Sequence, residues 1–77
     1  MVRANLIKAR GKRSQTEIAE KCGVKQQTYS HWERCRATPS IKKMIILEHE
    51  LGVPKEILFC DVFNSYDELM DSDSQAS

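Results

Sequence analysis

The sequence predicts a single all-α domain of five short helices, and three observations predict it. Apolar residues recur three and four apart in Ile18, Ala19 and Cys22, in Tyr29 and Trp32, and in Ile41, Met44, Ile45 and Leu51. That spacing lines one face of a helix. Gly23 and Gly52 directly follow two of these stretches, where a positive φ ends a helix at little cost. Ser14-Gln15-Thr16-Glu17 has the residue types of a capping box, in which the Ser14 hydroxyl accepts from the Glu17 amide. A chain of 77 residues has room for one domain. A domain this small buries little surface, so pairing with a second copy would help it.

Each element follows in order. Residues 3–10 read as a first helix with Leu6, Ala9 and Ile7 turned inward, and Gly11-Lys12-Arg13 as a tight basic connection. Ser14 starts the second helix and leaves Gln15 exposed at its N-terminal end; Gly23 breaks it and Val24 plugs the corner. The third helix runs over about residues 26–34 and buries Tyr29 and Trp32. Residues 35–39 are a loop, and Ser40 caps a fourth helix whose buried face is Ile41, Met44, Ile45 and Leu51, broadened by Leu47. Pro54 suits the first position of a short fifth helix that turns Ile57 and Leu58 to the core. The domain is thus expected over residues 1–59. Residues 60–70 follow as a packing or dimerisation segment, because Val62 and Phe63 are too apolar for a free tail and Ser65-Tyr66-Asp67-Glu68 can cap one more turn carrying Leu69 and Met70. Residues 71–77, rich in Ser and Asp, read as a disordered acidic tail.

The net charge of +1 conceals an asymmetry. Residues 1–36 carry nine Lys and Arg against three Glu, whereas residues 37–77 carry three Lys against eight acids. A polyanion is the partner such a basic half fits. No stretch approaches the roughly 18 apolar residues of a membrane span, and no apolar signal core follows the first residues, so a cytoplasmic protein without a membrane partner is expected. Cys22, Cys35 and Cys60 are odd in number and lack metal-ligand spacing, which argues against a disulfide framework and a zinc site. Cys35 is the best placed of them for a redox-sensitive thiol. No paired carboxylates, nucleophile–base set or phosphate loop is present, so neither an enzyme nor a cofactor is expected.

What remains polar on the third helix carries the function. With Tyr29 and Trp32 buried, Gln26, Gln27, Ser30 and His31 are left together on its outer face. A short helix with a hydrogen-bonding face, held by a tight turn and flanked by Lys and Arg, suits the major groove of duplex DNA. A glutamine amide can pair with adenine N6 and N7. His31 offers one donor and one acceptor when neutral.

The run from Gln15 to Leu58 resembles the domain of the phage repressor and Cro family, also called the xenobiotic-response-element family. The matching features are Gln15 opening the second helix, Ala19 at its centre, Gly23-Val24 at the turn and Trp32-Glu33-Arg34 closing the third helix, followed by Pro39-Ser40 and Leu51-Gly52-Val53. The resemblance implies a compact five-helix, lambda-repressor-like DNA-binding domain with a helix-turn-helix and a short C-terminal extension. It places Gln26, Gln27 and His31 at base edges, and Gln15 where an amide touches phosphate and braces the first reading residue. It implies that Arg10 and Glu33 form a structural pair joining the first helix to the third. Lys12, Arg13, Lys25, Arg36, Lys43 and the Thr38 hydroxyl are the candidates for phosphate contacts. Three departures stand out: the link between the first two helices is about two residues shorter than usual, Lys25 replaces a Ser or Thr cap worth about 1 kcal/mol, and Cys35 replaces the customary Gly after the third helix.

The function expected is a sequence-specific transcription regulator, a repressor of the phage or mobile-element type, binding double-stranded DNA at a palindromic operator as a homodimer. The fifth helix with Val62 and Phe63 is the expected dimer surface. No small-molecule ligand is expected. The competing expectation is a protein-interaction adaptor, or an antitoxin-like module, working through the C-terminal segment.

Overall fold

Among the described residues, five helices form where the apolar spacing puts them, before a further helical turn. They are α1 (Ala4–Arg10), α2 (Gln15–Cys22), α3 (Gln26–Glu33), α4 (Ile41–Leu51) and α5 (Lys55–Leu58). The computed structural model describes residues 1–63, of which residues 60–63 add one further helical turn and none forms a strand. The expected capped turn at residues 65–68, the Leu69-Met70 patch and the acidic tail at 71–77 lie outside the described residues.

Local chemistry sets the ends. Ser14 Oγ accepts from the Glu17 amide at 3.0 Å, and Ser40 Oγ does the same for the Lys43 amide at 3.3 Å, so both serine caps form. Gly23 closes α2 at φ 70°. The Val24 amide then reaches back to the Ala19 carbonyl at 3.0 Å, a reversal that turns the chain into α3. Val24 packs against the core at that corner.

α2 packs on α3 and α4, while α5 packs on α4 and α1. Leu6, Ile18, Ala19, Cys22, Tyr29, Trp32, Met44, Leu47, Leu58 and Phe59 form the core between them. Tyr29 and Trp32 meet edge to face, with ring centroids 5.9 Å apart. In α4 the expected face is shifted. Ile41 and Ile45 are half exposed, whereas Leu47 is fully buried beside Met44. The helix turns its Met44–Leu47–Leu51 stripe inward, which leaves Ile41 and Ile45 together on the other side. In α5 Ile57 is likewise exposed, and the core position falls to Leu58 and Phe59. Val62 and Phe63 pack partly on the core of their own chain.

One charged residue is buried that its sequence context leaves on a basic surface. Arg3 retains only 6 % of its surface. Its Nη1 donates to the Trp32 carbonyl at 2.6 Å and to the Ala37 carbonyl at 2.9 Å. Nη2 donates to Thr38 Oγ1 at 2.9 Å and to Asp61 Oδ2 at 3.1 Å, and Nε to Asp61 Oδ1 at 3.0 Å. The guanidinium also stands 5.1 Å from the Phe59 ring centroid. Arg3 therefore clasps the end of α3, the loop after it and the turn after α5.

Cys35 keeps the left-handed backbone that a glycine would occupy, at φ 60°. For a side chain with a Cβ this costs about 1–2 kcal/mol. Glycine costs more entropy on folding, which offsets part of that gain. Cys35→Gly is thus expected to stabilise the domain by about 1 kcal/mol and to raise Tm by roughly 4–8 °C in thermal unfolding; a lower Tm would show that the thiol makes contacts worth more than the strain.

Candidate nucleic-acid interface

α3 presents Gln26, Gln27 and Thr28 to solvent and keeps His31 half-buried. Ser30 does not join them. It is buried at 9 % exposure, because Glu33 is buried as well as Tyr29 and Trp32 and widens the inward face until Ser30 falls on its margin. Thr28 takes the vacated place on the outer face, one turn before His31. The burial of Glu33 is what shifts the face, and a two-residue aromatic stripe gives no sign of it.

A chain of polar contacts runs from α1 to the start of α3. Arg10 Nε donates to Glu33 Oε2 at 2.6 Å and Nη2 to Glu33 Oε1 at 3.3 Å. Its remaining Nη1 donates to the Arg13 carbonyl at 2.8 Å. Gln15 Nε2 donates to Glu33 Oε1 at 2.8 Å, and Gln26 Nε2 donates to Gln15 Oε1 at 2.5 Å. The short link between α1 and α2 does not prevent the pair, since Gly11 turns at φ 62° and the Arg13 amide folds back onto the Arg10 carbonyl at 3.3 Å.

The electrostatics agree with the geometry. Burial pushes the Glu33 carboxyl up, but the pull of Arg10, Tyr29 and Gln15 outweighs it and holds the group below its ordinary value. The hydrogen bond to Glu33 raises Arg10 further. Burial, reinforced by Glu33, pushes the Tyr29 phenol well up, so the ring stays neutral. The Tyr29 hydroxyl is buried beside the pair without a well-directed hydrogen bond among the described residues, and it acts on Glu33 as a nearby dipole.

The cations around α3 divide into those tied to a carbonyl and those exposed without a side-chain partner among the described residues. Lys43 is half-buried and donates from Nζ to the Cys22 carbonyl at 2.7 Å, capping the negative end of α2. Arg13 is half-buried and reaches the Glu50 carbonyl at 3.4 Å. Lys12, Lys25 and Arg36 are exposed, and Lys25 makes no side-chain cap for α3. The exposed Thr38 accepts from Arg3, so its hydroxyl hydrogen is left to point away from the clasp. Among the described residues no cluster of His, Cys, Asp and Glu could hold a metal ion. Burial raises the Cys22 thiol, leaving it an unreactive core residue.

Two helices at a tight glycine turn, with the second showing a polar face beside exposed cations, define a class of nucleic-acid-binding unit. The family comparison agrees: the chain belongs to the helix-turn-helix family, whose model matches residues 6–58, and it is a domain of the phage repressor and Cro type. It is a DNA-binding domain of a transcription regulator. No curated protein and no solved structure matches the chain. No described helix is long and apolar enough to cross a membrane.

Proposed function

We propose that the protein is a sequence-specific repressor that binds a palindromic operator as a homodimer, with α3 in the major groove. The exposed pair Gln26 and Gln27 at the N-terminal end of α3, the first of them braced by Gln15, carries this reading. That end of a recognition helix is the part that meets base edges, and an amide matches the donor and acceptor of adenine. Gln27, Thr28 and His31 complete the reading face. Lys12, Lys25, Arg36 and the Thr38 hydroxyl serve the phosphates, while Arg13 and Lys43 contribute field from positions already tied to carbonyls. A single module of this size makes limited specific contact, so two half-sites about 34–36 Å apart supply the rest. The apolar Ile57 exposed on α5, with the partly buried Val62 and Phe63 that follow in the chain, suits the dimer surface. Residues 1–59 would then form the reading domain and residues 60–70 its pairing segment.

Selection from a random duplex pool tests the reading. A palindromic winner should bind on the order of 10³-fold tighter than a scrambled control. Its affinity should fall steeply between about 50 and 200 mM salt, as phosphate contacts require. Gln26→Ala with Gln27→Ala should remove the preference and leave the salt slope intact. Equal, weak binding of winner and control would sink the reading and turn attention to a protein partner.

A further inference from the structure

The polar chain from Arg10 to Gln26 has a direction, and Glu33 sets it. An ionised carboxylate can only accept hydrogen bonds. Of the two ends of the Gln15 amide, only Nε2 can therefore face Glu33 Oε1, 2.8 Å away. Gln15 Oε1 is left facing α3, where it accepts from Gln26 Nε2. Turning Gln15 over would set its oxygen against a buried carboxylate oxygen. Turning Gln26 over would set two amide oxygens against each other. An exposed glutamine ordinarily presents either end at similar cost, but these two are locked in sequence by one anion. Arg10, itself held by the Arg13 carbonyl, keeps that anion charged at 3 % side-chain exposure.

We propose that Glu33 is a specificity-determining positioning residue, whose buried carboxylate fixes the sense of the Gln15 and Gln26 amides and so selects adenine over guanine at the base pair Gln26 faces. The inference rests on the reading of α3 as the base-reading helix. With one hydrogen of Nε2 given to Gln15, Gln26 keeps one N–H and its Oε1 lone pairs. Adenine matches these, offering N7 as acceptor and N6 as donor. Guanine offers two acceptors, N7 and O6, so Gln26 Oε1 would meet O6 with no proton between them. A neutral amide at position 33 could face Gln15 with either end. Gln15 and Gln26 could then turn over together, and Gln26 would present N–H groups that guanine accepts.

The test uses the full chain and the winner of the selection. The relevant base pair is the one at which Gln26→Ala abolishes discrimination. Dissociation constants for the adenine and guanine forms of that site are then compared in wild type, Glu33→Gln and Gln15→Met. Wild type should prefer adenine by about tenfold or more, and both variants should bring the two within about threefold at an unchanged salt slope. A purely structural Glu33 would weaken both forms equally and leave the ratio alone. A folded Glu33→Gln that keeps the wild-type ratio overturns the proposal. Should that variant fail to fold, Gln15→Met decides, because it cuts the chain of amides while sparing the Arg10–Glu33 pair. A Gln26-dependent base pair that favours a base other than adenine overturns this inference alone, whereas no Gln26-dependent base pair at all overturns the base-reading helix with it.

Discussion

Arg3→Met should lower the stability of the domain by about 3 kcal/mol, the scale on which a buried ion loses its partner. The thioether fills part of the volume but donates nothing. It takes the Arg3 donor from the Trp32 carbonyl, which keeps the Cys35 amide, and from the Ala37 carbonyl, and it removes the ion pair to Asp61. A part-buried acceptor left unpaired, here the Ala37 carbonyl, costs more than the lost bond itself. The figure sits at the lower end of the range because Asp61 keeps 29 % of its side-chain surface and can turn to water. Thermal unfolding should show a fall in Tm of more than about 10 °C. A midpoint within a degree or two of wild type would mean that water substitutes for the guanidinium.

Glu33→Ala should cost a similar amount at neutral pH, about 3 kcal/mol, by leaving Arg10 partly buried without its counter-charge. It should also change how the domain responds to acid. The Glu33 carboxyl is held below its unfolded value of 4.5, so its contribution is complete above that pH. It drains away as the pH falls through the lower, folded value. Wild type should therefore lose stability on acidification below about pH 4.5, and the variant should lose less over the same interval. Chemical denaturation at pH 7 and pH 3 measures both quantities. Parallel losses in the two proteins would place the acid sensitivity in other carboxylates.

Much of the fold is legible in the sequence because it is written in local chemistry. Ser14, Gly23, Ser40 and Gly52 end or start helices through their own side chains or their own φ, and each does so where its residue type says it should. Tyr29 and Trp32 are core because their spacing leaves them no other face. The misplacements arise where a face depends on what packs against it. Ile41, Ile45 and Ile57 are as apolar as Met44 and Leu58, and only the neighbouring helices decide which of them is covered. Ser30 lies on the margin of the inward face that Glu33 shares with Tyr29 and Trp32, and the aromatic spacing alone does not show how wide that face is. The Arg10–Glu33 pair and the bracing of Gln26 by Gln15 are readable through the family resemblance, whereas the Glu33–Gln15 contact that joins them needs the three helices assembled. Arg3 could not be found at all, since its ionic partner lies 58 residues away and no local pattern marks either residue.

That separation also governs the order of events in time. The turn from α2 into α3 closes over a handful of residues, and Gln15 meets Gln26 only 11 residues away; such contacts form early because their loops are short. The Arg3–Asp61 contact closes nearly the whole described chain, and loop-closure entropy makes it an expected late contact in folding. Contacts made late leave the folding rate almost untouched and set the rate of unfolding instead. The arginine that joins the two ends of the fold is thus a latch on the lifetime of the native state, and the helix-turn-helix behind it stays assembled for as long as the latch is closed.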